Sequence, residues 1–254
     1  MKIYFLGTNG WYSSPTGDTP CILIDSRNHY VIFDAGNAIY KIDKYIKEDK
    51  PIFLFLSHFH IDHISGLHML MKFKFKQRID IYFAQGRRKD FDLFVNPPYT
   101  IGITKNKKNI FTLKTKIRLH ELGSGENNIG FPVRMEKLYH SSENHGFRIN
   151  LEGKLIAYSG DTKIVPNGLL LAKNADLLIH ECTNIISPDS DIWGHTDPVQ
   201  TAQFARDAGV KKLVLTHFGA HLYETLEMRK EAEIKAKKIF PNTIAAMDDL
   251  EFEI

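Results

Sequence analysis

Four side chains able to hold a metal ion fall within six residues: His58-Phe59-His60-Ile61-Asp62-His63. Three imidazoles and a carboxylate offer neutral nitrogen and anionic oxygen donors, a set that suits zinc and its first-row neighbours. So short a loop crowds four adjacent ligands around one ion, and sharing them between two ions is sterically easier. Two divalent ions held close together need anionic charge between them, and they activate water as a nucleophile at neutral pH. Attack by such water is one chemistry open to the cluster, but metal ligands alone do not choose a reaction.

An apolar run, Pro51 to Leu56, leads directly into the cluster. Bulky aromatic and aliphatic residues bounded by Pro51 and Ser57 read as a buried strand, so the ligands lie in the loop at its end. Further strands are expected at Lys2–Leu6, Cys21–Asp25, Tyr30–Asp34, Ile79–Ala84, Ile110–Leu113, Val133–Tyr139, Gly146–Leu151, Leu155–Tyr158, Asp176–Ile179, Lys212–Leu215 and Thr243–Met247. Hairpin turns fit Ser26 to His29 and Glu152-Gly153. Helices are expected from Ile64 to about Phe73, from Pro198 to Ala208 and from Tyr223 to Ile239. Thr196 or Asp197 can cap the second, Pro198 suits its first turn and Gly209 ends it. The stretch Gly86 to Asn109 reads as a surface loop or short insertion. Many strands and few helices argue for packed sheets with helices outside.

His-x-His-x-Asp-His after a buried strand resembles the metallo-β-lactamase superfamily. The resemblance extends to Asp34-Ala35-Gly36 after Tyr30 to Phe33, His140 after Met135 to Tyr139, Asp161 after Leu155 to Gly160, and His217 after Lys212 to Thr216. It implies an α/β fold, a four-layer αββα sandwich, in one domain over residues 1–254. It further implies that His58, His60 and His140 bind one divalent ion, that Asp62, His63 and His217 bind a second, and that Asp161 bridges them. The two ions would be zinc, with manganese or iron equally suited to His and Asp donors. Asp34 is expected to fix an imidazole through its other N–H, or else to be a turn aspartate. His145 rivals His140 but stands where the family carries a small residue, so His140 is preferred and His145 is expected to line the pocket. His29, His68 and His120 carry no such pattern, and His221 is a candidate for the site rim.

Two further segments narrow the branch. Leu178-Ile179-His180-Glu181-Cys182-Thr183 resembles the His-Glu-Ala-Thr motif of RNase Z-like phosphodiesterases, and Gly194-His195-Thr196 resembles their His-Ser-Thr motif. In that branch Glu181 holds His195, and His195 faces the scissile phosphate. An imidazolium can protonate a departing alkoxide and stabilise pentacovalent charge. The catalytic candidates are thus Asp62, His195 and Glu181, acting on a phosphodiester, with RNA and the tRNA 3′ end first. Small cyclic or nucleotide-derived phosphodiesters, a DNA exonuclease and a non-catalytic metal-binding module are the alternatives. One departure matters: only twenty residues separate His140 from Asp161, too few for the arm with which typical RNase Z grips tRNA.

At 254 residues and 43% hydrophobic content the chain can bury a large core. The net charge of +3 hides an asymmetry. Residues 72–118 hold thirteen Lys or Arg against three Asp, a net +10 that leaves −7 for the remainder. With Phe73, Phe75, Tyr82 and Tyr99, this segment could contact phosphates and stack on bases. Two cysteines, Cys21 and Cys182, in apolar contexts give neither a disulfide framework nor a metal site. The N-terminus reads as a first strand rather than a signal peptide, and no apolar run reaches bilayer-spanning length. A cytoplasmic enzyme without a membrane partner is expected, as a homodimer if it follows its RNase Z relatives.

Overall fold

A computed structural model describes residues 1–103, 114–188 and 192–254. The expected strand Ile110–Leu113, together with Lys105, Lys107 and Lys108, lies outside the described residues.

Two seven-stranded sheets form the body. In the first, the strands lie in the order Leu250–Glu253, Lys2–Gly7, Cys21–Asp25, Tyr30–Phe33, Ile52–Phe55, Ile79–Ala84, Ile117–Leu122. In the second, the order is Thr243–Ala245, Leu213–Thr216, Leu177–Glu181, Lys154–Tyr158, Asn144–Leu151, Pro132–Leu138, Gly125–Asn128. Each sheet is antiparallel at one end and parallel at the other.

Alternation along the strands builds the layers, because successive side chains point to opposite faces. Ile22, Ile24, Phe33 and Phe55 of the first sheet meet Phe147, Ile149, Tyr158 and Ile179 of the second. Their neighbours Leu23, Ile32 and Leu54 face outward under the 3-10 helices Asn37–Lys44 and Ser65–Lys72 and the helix Arg88–Phe94. On the far side, Ala157, Leu178 and Leu213 pack beneath helices Pro166–Ala172, Pro198–Asp207 and Leu226–Lys237. The result is the expected αββα sandwich.

Asp197 caps the helix Pro198–Asp207 by accepting from the backbone N–H groups of Val199 and Gln200, and Gly209 ends it with φ +67°. Other expectations need correction. Helix Ile64–Phe73 is instead a single α-turn, Ile61–Ile64, continued as a 3-10 helix. Tertiary packing overrides propensity there: Gly66 passes so close to Gly36 that a Cβ would lie 2.3 Å from its carbonyl oxygen, and its N–H donates to Ala35. The helix expected from Tyr223 starts at Leu226, capped by Thr225. The stretch expected to be irregular from Gly86 contains helix Arg88–Phe94, anchored by buried Phe91. Edge strands Ile117–Leu122, Gly125–Asn128 and Leu250–Glu253 escaped the hydrophobic pattern because edges carry polar and charged side chains.

The basic segment is also corrected in part. Phe73 and Tyr82 are buried in the core and cannot stack on bases, whereas Phe75 is half-buried and stacks on Phe73, and Tyr99 is exposed. Lys72, Arg78, Arg87 and Arg88 are engaged with Asp43, Asp80, Asp90 and Asp92. No helix among the described residues is long and apolar enough to cross a membrane.

Candidate metal centre

The parallel halves of both sheets point their carboxyl ends at one crevice, the usual ligand position in open α/β sheets. Asp34 follows Tyr30–Phe33, Ser57 and His58 follow Ile52–Phe55, Asp161 follows Lys154–Tyr158, Glu181 ends Leu177–Glu181, and His217 follows Leu213–Thr216. His140 arrives from the antiparallel strand Pro132–Leu138. All seven residues expected as metal ligands converge there in two groups, His58, His60, His140 and Asp161, and Asp62, His63 and His217, while a third set, Asp161, His195 and His217, overlaps them. Within each group the donor atoms lie within 4.8 Å of one another.

Hydrogen bonds fix which imidazole nitrogen faces the crevice. The His63 Nδ1–H donates to Asp34 Oδ2 at 2.7 Å, which leaves Nε2 directed inward. Asp34 is itself held by Ser57 N–H at 2.7 Å, Ser57 Oγ at 2.8 Å and the Tyr158 hydroxyl at 2.6 Å. Thr183 donates its hydroxyl to the His217 carbonyl and accepts from His217 Nδ1 at 2.9 Å, so His217 Nε2 also faces inward. The two Nε2 atoms are 3.0 Å apart, and His217 Nε2 lies 3.3 Å from Asp62 Oδ2. In the other group, His140 Nε2 and His60 Nδ1 approach to 3.1 Å, while buried His58 Nε2 has no hydrogen-bond partner. Asp161 sits between the groups: its Oδ1 is 3.3 Å from His63 Nε2, and its Oδ2 is 3.2 Å from His217 and 3.8 Å from His58.

This donor set fits divalent cations. Imidazole nitrogens aimed at one another and at carboxylates, with two buried ones (His58 Nε2 and His140 Nδ1) lacking a hydrogen-bond partner, are costly without a cation among them. Burial lowers the pKa of His58, His60 and His140, so these rings remain neutral with lone pairs available. Burial would also lower His63, but Asp161, Asp62 and Asp34 outweigh it and hold that ring well above its ordinary value. Burial would raise Asp62 and Asp161, yet His63 and His217 hold both carboxyls below the usual carboxylate range. They are ionised at neutral pH and able to ligate.

Glu181 is fully buried at the crevice wall. Its Oε1 accepts from His195 Nδ1 at 3.0 Å and from the N–H groups of Thr162 and Thr196, and its Oε2 accepts from Thr183 N–H. The His195 ring is 5.0 Å from that of His140 and 6.0 Å from that of His217, and so stands beside both groups.

Sequence reasoning missed several partners. The Trp11 N–H donates to Asp62 Oδ2 at 2.7 Å, and Gly10 passes so close under His217 that a Cβ would lie 2.4 Å from its ring. Asn144 ties the Asp161 carbonyl to that of Ser159. Gly10 ends the two-residue strand Asn9–Gly10, Trp11 follows it and Asn144 opens the strand Asn144–Leu151; apart from Gly10 itself, nothing in their composition signals these roles. His145 is buried against Glu143 and lies outside both groups. His221 packs edge-on against Trp11, and His120 pairs with Asp80 away from the crevice.

Residues 29–218 match a family model described as a beta-lactamase superfamily domain. The Ribonuclease Z of Picrophilus torridus is 29% identical over an alignment that covers 100% of this chain and 96% of that relative. That alignment runs over 304 positions against 254 residues here, so about 50 positions of the relative have no counterpart. Among solved structures, the metallo-beta-lactamase fold protein YhfI of Bacillus subtilis superposes with a TM-score of 0.81 at 22% identity, covering 100% of this chain and 99% of its own. Human tRNase Z, short form, does so with a TM-score of 0.76 at 25% identity, covering 100% and 99%.

Proposed function

The chain is a metallo-hydrolase that belongs to the β-lactamase superfamily, and from that premise we propose that it cleaves phosphodiester bonds, with RNA as substrate and the tRNA 3′ end as the first site to test. The observation that carries this reading is the Glu181–His195 pair beside the two His/Asp groups. Hydrolysis of a thioester expels a stable thiolate and has little use for a proton donor, whereas an alkoxide leaving a phosphodiester needs one.

His58, His60 and His140 would hold one divalent ion, Asp62, His63 and His217 a second, with Asp161 shared between them. When bound, such ions supply Lewis-acid polarisation and neutralise charge developing on phosphoryl oxygens. The remaining work falls to the chain. Asp34, Ser57 and Thr183 keep the inward nitrogens in register. Glu181 accepts from His195 Nδ1–H, which directs Nε2 toward the crevice. From there His195 gives its proton to the departing oxygen. His195 is a catalytic residue in this scheme and Glu181 positions it. The whole chain works as one domain, since the crevice draws residues from Trp11 to His217.

A second reading, hydrolysis of small phosphodiesters, is favoured by the short connection between His140 and Asp161. There the chain forms only the hairpin Asn144–Leu151/Lys154–Tyr158, and about 50 positions of the Ribonuclease Z relative have no counterpart. The deciding experiment is cleavage of end-labelled precursor tRNA carrying a 3′ trailer, mapped to the nucleotide, with zinc or manganese added and Asp62→Ala as control. One discrete cut beside the acceptor stem is expected. Progressive trimming would mean an exonuclease, and no cleavage with bis-nitrophenyl phosphate still hydrolysed would leave the small-substrate reading.

A further inference from the structure

The turn from Thr8 to Gly17 reaches two candidate ligands of one metal group, and they come from different sheets. The Trp11 N–H donates to Asp62 Oδ2 at 2.7 Å, in the loop that follows Ile52–Phe55 of the first sheet. Just before it, Asn9 and Gly10 pair in parallel with Phe218 and Gly219, which directly follow His217 after the second sheet's Leu213–Thr216. Phe218 N–H donates to the Thr8 carbonyl at 2.9 Å, and Ala220 N–H to that of Gly10 at 3.2 Å. Gly10 passes so close under the His217 ring that there is no room for a Cβ. One short segment thus ties Asp62 to His217.

The backbone at this junction is strained. Trp11 has φ +76° and His217 φ +53°, left-handed values that residues with a Cβ rarely adopt. Such strain persists only where the surroundings over-determine it. The Trp11 indole, 66% exposed, does not supply that restraint. Asn9 does. It is fully buried, and its Nδ2 lies 2.8 Å from the Gly17 carbonyl, 2.9 Å from Ser14 Oγ and 3.2 Å from the Tyr12 carbonyl. Its Oδ1 accepts from Thr16 Oγ1 at 3.2 Å and from the guanidinium of buried Arg229. The turn therefore closes around one amide that donates from one end and accepts at the other. A carboxylate could not donate there, and an aliphatic side chain could do neither.

We propose that Asn9 is a positioning residue for the metal group of Asp62, His63 and His217. By holding the turn closed it keeps the Trp11 N–H on Asp62 Oδ2 and Gly10 beneath His217, so that both side chains present their donors to one divalent ion. Asn9 acts through Trp11 and Gly10, in the way that hydrogen-bonded supports orient ligating carboxylates and imidazoles. The contacts of the turn end on Asp62 and His217, so the group of His58, His60 and His140 should keep its affinity. This role rests on the two-ion reading of the site and names the buried amide on which one of the ions depends.

The test is zinc titration of the full chain against a chromogenic chelator, for wild type, Asn9→Asp, Asn9→Leu, Asp62→Ala and Asn9→Asp combined with Asp62→Ala. Asp62→Ala identifies the binding step that belongs to the Asp62 group. That step should weaken about 10- to 100-fold in both Asn9 variants, while the other stays within roughly 2-fold. The charge added by Asn9→Asp would by itself strengthen cation binding, so a loss in that variant comes from position. Combined with Asp62→Ala, Asn9→Asp should cost no further affinity, because the two residues act on one ion. An Asn9 that serves stability alone would lower Tm in both variants and leave both affinities unchanged, and that result overturns the inference. So does an equal loss at both steps, or a full further loss on top of Asp62→Ala. If Asn9→Leu fails to fold, Asn9→Asp keeps the volume and the acceptor for Arg229 and decides alone. If neither folds, Ser14→Ala removes one half-buried partner of Nδ2 and should weaken the same step about 2- to 10-fold, unchanged affinity refuting the role. A wild type that takes up a single zinc ion would end the two-ion reading, and whether Asn9→Asp weakens that ion would still judge Asn9.

Discussion

Asp34 Oδ2 and His63 Nδ1 are 2.7 Å apart in a site with no solvent exposure, and this contact decides which nitrogen of His63 reaches the crevice. The partners of the Asp34 carboxylate come from outside its own turn, from Ser57 and His63 in the loop after Ile52–Phe55 and from Tyr158 in the other sheet. Replacing it with alanine frees the His63 tautomer and leaves the Tyr158 hydroxyl buried without its acceptor. Metal affinity should fall about 10- to 100-fold, the usual effect of losing such a support. Competition against a chromogenic chelator reads this directly, and affinity equal to wild type would refute the orienting role.

Asp62→Ala removes one anionic donor from the group that includes His63 and His217. The expected outcome is one tightly held metal ion per chain instead of two, no measurable hydrolysis and a retained fold. Metal content by mass spectrometry, with circular dichroism alongside, checks it. Unchanged turnover would sink the assignment of two ions.

His195→Ala should slow cleavage of alkyl phosphodiesters by roughly 10²- to 10⁴-fold, the range for loss of a general acid, without lowering metal content. The loss should be smaller with a nitrophenolate leaving group, which departs without a proton. Glu181→Gln should give a milder version of the same pattern with an altered pH profile. Equal losses on both kinds of leaving group would count against His195 as the acid.

Arg229 is buried in the helix Leu226–Lys237 and donates to Thr8, Asn9 and Thr16, which hold the turn that carries Gly10 and Trp11 to the crevice. Burial pulls its guanidinium down to about 10, still charged at neutral pH. Arg229→Met leaves three buried acceptors without their donor, and about 2–4 kcal/mol of stability should be lost, measured by urea unfolding. A loss below about 0.5 kcal/mol would place the network among dispensable contacts.

His180 is buried, with Nδ1–H donated to the Glu181 carbonyl, and burial lowers its pKa below the ordinary 6.5. The sign follows from linkage. Below pH 6.5 the unfolded chain takes up a proton that the folded ring refuses, so stability is lost as pH falls through 6.5 toward the folded value. Unfolding free energy measured in chelator at pH 7.5 and 5.5 should therefore drop on acidification, and the drop should be smaller in His180→Asn. An identical drop in both proteins would exclude His180 from the acid response.

The loop of candidate metal ligands was legible in the sequence because its residues are adjacent: His58, His60, Asp62 and His63 need only the strand Ile52–Phe55 to present them. The strands themselves were legible where both faces are buried, as in Cys21–Asp25 and Ile79–Ala84, since such runs are apolar throughout. His140, Asp161, Glu181, His195 and His217 could be proposed from motifs, but their meeting point could not, because it depends on register between strands far apart in the chain. Tertiary structure alone decided that Asp34 takes Nδ1 of His63, that Thr183 turns His217, and that Trp11 reaches Asp62 across fifty-one positions of sequence. It also decided that Phe73 and Tyr82 belong to the core rather than to a nucleic-acid surface. Local pattern specifies which face of an element is apolar. Which faces meet, and hence which polar groups are left pointing at one another, is set by the packing of both sheets as a whole.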